Sequence, residues 1–88
     1  MDITKYYPHT TATKLGYLVE ECGEVMAAVG KTQRWGLASR NPTLPPGSEM
    51  NGDWILRELK DLEQAIRIAR SAIEAEMEAI DGEDRSKA

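Results

Sequence analysis

The chain has 88 residues, of which 41% are hydrophobic and 30% charged, with no Phe; that balance fits one small helical domain and excludes a disordered polymer or a two-domain protein. Its net charge of −4 and pI near 4.9, with the basic residues scattered, exclude the clustered Lys and Arg on which binding to a nucleic-acid polymer rests. The lone Cys22 excludes an internal disulfide or a Cys-based zinc cluster, and no apolar run approaches the ~20 residues that span a bilayer.

The opening MDITKYYPHTTATK has no apolar signal-peptide core, so the sequence predicts a cytoplasmic protein without a membrane partner, in a host cytoplasm if the chain is virus-encoded. Residues 1–10 read as a flexible N-terminal arm, broken by Pro8, in which Tyr6 and Tyr7 line a pocket or pack across a neighbouring subunit. His9 has no companion histidine. Thr10, Thr11 and Thr13 offer hydroxyls to the free N–H groups of a helix start, and a first helix is predicted over about 12–34. Its apolar residues Leu15, Leu18, Val19, Cys22, Val25, Met26 and Val29 recur at three- and four-residue steps, with Cys22 as a small core residue.

Residues 35–52 carry Gly36, Gly47, Gly52, Pro42, Pro45 and Pro46, which stop a helix or a strand, and so read as a loop. A loop of that length is either a lid or substrate-facing wall, or a tolerated surface insertion. A second helix follows, capped by Asn51 or Asp53, with Ile55, Leu59, Leu62, Ile66, Ala69, Ile73, Met77 and Ile80 as a coiled-coil-like seam. Gly82 is the expected C-terminal cap, before a frayed tail over 82–88.

The predicted fold is therefore all-α: two long antiparallel helices joined by a Pro/Gly-rich loop. Such a hairpin has one shared seam and leaves its outer flanks wet, so a homodimer forming a four-helix bundle, or a homotetramer, is expected to complete the core. Ala65, Ile68 and Ala72 offer a second, flatter contact surface beside the main seam. Gly16, Gly23 and Gly30 share one edge of helix 1, where close approach of another helix would offset a cost of about 0.5–1 kcal/mol each relative to Ala.

The chemistry lies in two acidic clusters, Glu20, Glu21 and Glu24 on the first helix and Glu58 and Asp61 on the second. Glu21 and Glu24, and likewise Glu58 and Asp61, are one turn apart, about 60° around the helix, and flank the apolar seams. When the seams meet, four carboxylates converge at the margin of the bundle with no evident Lys or Arg partner among them. A cation resolves their repulsion, and an all-oxygen donor set suits Mg²⁺ or Mn²⁺. The alternative is a solvated acidic face.

The string E-E-C-G-E, followed after the loop by E-L-K-D, resembles the E-E-x-x-E then E-x-x-D signature of the MazG-like all-α NTP pyrophosphohydrolase superfamily, over roughly Lys14 to Ile68. The resemblance implies a Mg²⁺-dependent enzyme, dimeric or tetrameric, that cleaves a nucleoside or deoxynucleoside triphosphate to the monophosphate and pyrophosphate. It implies Glu21, Glu24, Glu58 and Asp61 as metal ligands and a supporting role for Glu20. The stretch from Val25 to Arg57 is longer than the family usually shows.

Lys31 and Arg34 either meet phosphate oxygens or serve as favourable cations at a helix C-terminus, with Lys14, Arg57 and Lys60 as further candidates. Trp35 and Trp54 bracket the loop and either anchor its ends or stack on a base, Gln64 is placed to read a base edge, and Tyr17 to line a pocket. Two other classes compete with the hydrolase: a protein that sequesters a phosphorylated nucleotide, and a structural helical adaptor.

Overall fold

The structure is a computed structural model that describes the backbone of residues 8–87 and the side chains of residues 8–82. Tyr6 and Tyr7, with most of the expected N-terminal arm, lie outside the described residues. Two helices, α1 (Thr11–Trp35) and α2 (Asn51–Lys87), pack against each other, and among the described residues the only β pairing is an isolated Arg40–Met50 bridge.

The start of α1 is fixed by its threonines. Thr10 stands before the first turn and its hydroxyl accepts the Thr13 N–H at 3.1 Å, while Thr13 Oγ1 accepts the Thr10 N–H at 3.0 Å, a reciprocal capping box. The helix stops at Gly36, whose φ of 91° suits a residue without Cβ and whose N–H donates to the Thr32 carbonyl at 2.7 Å. At the start of α2 the Met50 carbonyl accepts the Trp54 N–H at 3.0 Å and Asp53 accepts the Met50 N–H at 3.3 Å. Met50, not Asn51, therefore precedes the first turn. Asn51 is buried instead and ties the loop down, its side chain donating to the Gly36 carbonyl at 3.1 Å and its N–H to the Ser39 carbonyl at 2.8 Å.

The expected stop at Gly82 is corrected, since α2 continues through it to Lys87. A helical glycine costs about 1 kcal/mol relative to alanine, and the run of strong helix formers from Glu74 to Ala79 ahead of it carries the backbone past that penalty. The molecule is a thin layer, 64 × 31 × 14 Å, too shallow to enclose a large side chain.

The seam differs from the expected one. Lys31 lies against Trp54 and Glu21 against Glu58, so the helices run antiparallel. The buried positions are Glu21 and Ala28 on α1 and Glu58, Ala65, Ala69 and Ala72 on α2, with Leu18, Val25 and Leu62 half-buried between them. Their steps of four and three make this a continuous heptad line on each helix. Of the α2 stripe expected to be the main seam, Leu62 and Ala69 do turn inward and Ile55 is half-buried, but Leu59, Ile66, Ile73, Met77 and Ile80 are left out, 37–50% exposed. On α1, Leu15, Val19, Cys22 and Met26 are exposed too, so Cys22 is not a core residue of the single chain.

The exposed stripes lie one residue, about 100°, beyond the buried seam on both helices. Because the helices are antiparallel, that shared offset turns both stripes to one side of the hairpin. Positions one residue before the seam, which include Glu20, Glu24, Lys31, Arg57, Asp61 and Gln64, turn to the other. The first face is mostly apolar, with Glu63 and Arg70 as its charged members, and the other carries the acidic cluster with Lys31 and Arg57. The small alanines explain the choice of seam, since they let two helix backbones draw close where isoleucines would hold them apart. A Cβ added at Gly16, Gly23 or Gly30 meets nothing within 4 Å, so the close approach expected there does not occur within one chain.

Candidate metal centre and the adjoining cavity

Heptad spacing places Glu21 and Glu58 opposite each other in the seam itself, where the sequence reading has them on its flanks. Both are buried, at 9% and 5% exposure, while Glu24 is exposed and sits one turn along α1. Carboxylate oxygens of Glu21, Glu24 and Glu58 all lie within 4.8 Å of one another. Asp61 is half-buried one turn beyond Glu58, outside that tight group, yet its charge acts on Glu21. Glu20 is exposed and adds a smaller repulsion to the same carboxyl.

The electrostatics record an unresolved conflict. Glu21 Oε2 and Glu58 Oε2 are buried with no hydrogen-bond partner among the described residues, a state that costs about 1–3 kcal/mol for a neutral group and more for a charged one. Burial raises the Glu21 pKa, and the charges of Asp61 and Glu58 push it the same way. Glu24 is pushed up to about 7, first by hydrogen bonding to Glu58, then by burial and by the Glu21 charge. A proton on Glu24 supplies the donor that the ionised cluster lacks.

One cation does enter the group, contrary to expectation. Arg57 Nη1 lies 3.2 Å from Glu58 Oε1, and its Nη2 lies 2.8 Å from Glu49 Oε1 in the connecting segment. Trp54 Nε1 also donates to Glu58 Oε1 at 3.2 Å. One oxygen of Glu58 is thus held by two donors and the other by none. Arg57 also holds the Glu49 carboxyl below its usual range.

An all-oxygen group of this kind fits a small hard cation. Opposite ligands on an octahedral Mg²⁺ stand about 4.2 Å apart, so oxygens already within 4.8 Å need only small side-chain rotations to meet on one ion. Glu21, Glu24 and Glu58 are the residues that would hold it, with Asp61 within electrostatic reach.

Beside the carboxylates the connecting segment folds back as a series of turns. The Thr43 N–H and hydroxyl both reach Asn41 Oδ1, at 2.9 and 2.7 Å, Arg40 Nε donates to the Ser48 carbonyl at 2.7 Å, and the Gly52 N–H reaches the Leu37 carbonyl at 2.9 Å. Together with the end of α1 and the start of α2 it lines a half-open cavity of about 580 Å³, whose walls include Lys31, Trp35, Arg40, Leu44, Trp54 and Arg57. The Lys31 ammonium stands 5.5 Å from the centre of the Trp54 ring. Trp54 and Arg57 belong both to this cavity and to the carboxylate group.

Of the other sequence candidates, Arg34 and Gln64 are exposed and line neither feature, and Tyr17 is half-buried away from the cavity. Arg34 sits in the last turn of α1, where a cation suits the helix dipole. Trp35 is 66% exposed and does not anchor the loop end. Sequence reasoning missed Arg40 and Glu49, which no motif marks, and undervalued Arg57, which stands one residue before Glu58.

The chain matches no family model, no curated protein and no solved structure.

Proposed function

We propose that the chain is a Mg²⁺-dependent nucleoside triphosphate pyrophosphohydrolase of MazG-like type, converting an NTP or dNTP and water to the monophosphate and pyrophosphate. The observation that carries this reading is the pair of buried carboxylate oxygens, Glu21 Oε2 and Glu58 Oε2, left without partners beside Glu24. A structural seam has no use for them, and the alanines further along α2 show what a structural seam contains.

Glu21, Glu24, Glu58 and Asp61 would hold Mg²⁺, or Mn²⁺ in its place. A divalent cation there supplies the positive charge that the anionic oxygens of a triphosphate and an incoming water both require. The protein's own residues do the rest. Trp54 and Arg57 fix the Glu58 carboxylate by hydrogen bonds to one oxygen, leaving the second free to ligate. Glu24, whose proton affinity is set close to neutrality, exchanges a proton with solvent at little cost. Lys31 and Arg57, on the same face of the hairpin, attract the phosphate chain as water displaces pyrophosphate from the α-phosphorus.

A second copy of the chain covers the opposite, apolar face and completes a four-helix bundle, as a dimer or within a tetramer. Exposed Leu59, Ile66, Ile73, Met77 and Ile80, beside Leu15, Val19 and Met26, support this reading.

The test is incubation with a panel of NTPs and dNTPs plus Mg²⁺, scored for monophosphate and pyrophosphate together. Turnover that Glu24→Gln and Asp61→Asn abolish, with the helical circular dichroism retained, is the expected result. Tight binding of nucleotide without turnover assigns sequestration instead. Neither binding nor turnover leaves an adaptor.

A further inference from the structure

We infer that the cavity under the connecting segment holds the nucleoside half of the substrate, with the exposed Trp35 indole as the surface on which the base stacks. The inference rests on the nucleotide reading above and names the part of the chain that selects the base.

Two observations carry it. The first is composition: a cavity of about 580 Å³ is within the range of small-molecule sites, and its walls combine two indoles with Lys31, Arg40 and Arg57, against the single acid Glu49. That is the chemistry for a flat aromatic ring joined to phosphate. The Trp54 ring already carries the Lys31 ammonium, whereas Trp35, at 66% exposed, leaves most of its indole open. A tryptophan so exposed forgoes the burial that usually justifies it, and a stacked base restores that contact.

The second is continuity. Trp54 and Arg57 are shared between the cavity and Glu58, so a base lodged in the cavity has its phosphates directed across Lys31 and Arg57 towards the carboxylates. The segment that supplies the outer wall is pinned by Arg40 Nε to the Ser48 carbonyl and by Asn51 to Gly36, so the wall stands before any ligand arrives. Pre-formed walls favour discrimination between bases by shape.

The chain has two tryptophans, Trp35 and Trp54, and both line this cavity, so intrinsic fluorescence reports its occupancy directly. Ribo- and deoxyribonucleoside monophosphates are titrated into the full chain in EDTA, where no hydrolysis can contribute. The expected result is saturable quenching with one base favoured. By calorimetry with the same monophosphate, Trp35→Leu weakens binding on the order of tenfold, the effect of losing one base–aromatic stack; in turnover assays the loss is carried in KM. Because Trp35 is a surface residue, this variant keeps the fold. NTP turnover without quenching, or with binding indifferent to Trp35→Leu, overturns the cavity assignment while the hydrolase stands. Quenching without turnover does the reverse: the nucleoside site stands and the hydrolase reading falls.

Discussion

The two halves of the α2 seam share one spacing and opposite chemistry. Ala65, Ala69 and Ala72 continue the heptad line that Glu58 begins, and all four are buried against α1. The alanine half closes two helices tightly and satisfies itself. The glutamate half buries carboxylates that repel each other and leaves two oxygens orphaned. A chain under selection for stability alone would extend the alanines. The contrast teaches that the first half of the seam spends stability which the second half and the pinned connecting segment supply; on the proposed reading, a bound cation would recover it.

The sharpest way to break the comparison is to remove one orphan. Glu58→Gln is expected to lower kcat by at least about 100-fold, the scale of losing a directly charge-stabilising group, while raising the thermal midpoint of the metal-free protein by easing the repulsion; pyrophosphate release and calorimetry report the two effects. A variant that loses both activity and stability would show Glu58 to be structural.

Next in size is the linkage to metal. At a Mg²⁺ concentration 100 times its dissociation constant, the folded chain gains about 2.7 kcal/mol, read as a rise in the thermal midpoint that Na⁺ at equal ionic strength does not reproduce. The gain vanishes in Glu21→Gln if the seam carboxylates are the binding group, and persists if the cation binds elsewhere.

The alanine half predicts a structural penalty without a chemical one. Ala65→Leu inserts a large side chain at a fully buried position and is expected to cost about 1–3 kcal/mol in urea unfolding. A neutral result would mean that the helices are not held at alanine distance.

Acidity distinguishes the halves as well. Glu21 and Glu24 have folded pKa values raised above the ordinary 4.5, Glu24 to about 7, so between pH 4.5 and 7 the folded chain holds more protons than the unfolded one. Stability of the metal-free protein therefore falls as pH rises through that window and levels above it. Saturating Mg²⁺ is expected to reverse the slope, because it favours the ionised carboxylates; denaturant midpoints from pH 5 to 8 with and without metal measure both. The smallest effect concerns the outer edge of α1. Gly23→Ala, with open space where its Cβ would lie, is expected to raise stability by about 0.5–1 kcal/mol, and a loss instead would locate the helix of a second chain against that edge.

Much of the fold was legible because it is local. The threonine-capped helix start and the two helical periods depend on residues a few positions apart, and the structure has both. The i, i+3 spacing of Glu21 with Glu24, and of Glu58 with Asp61, is legible as well, but which of them meet across the seam depends on the stripe that turns inward. The misreadings share a different origin. Ile66 and Ala65 belong to adjacent heptad stripes of equal period, and hydrophobicity favours the larger side chain, so the sequence reading takes Ile66 for the seam and leaves Ala65 beside it. Likewise Gly82 reads as a stop by residue type, although its neighbours propagate the helix through it.

What the sequence determined by itself is the set of elements and the acidic spacing on each, because backbone hydrogen bonding and capping act over a single turn. What only the tertiary structure decided is which stripe turns inward, that Arg57 enters the carboxylate group, and that Lys31, Trp35, Arg40, Leu44 and Trp54 surround one cavity. Those outcomes depend on how closely two backbones approach and on how the segment between them folds back. Both are properties of distances between residues far apart in the chain, which no local period encodes.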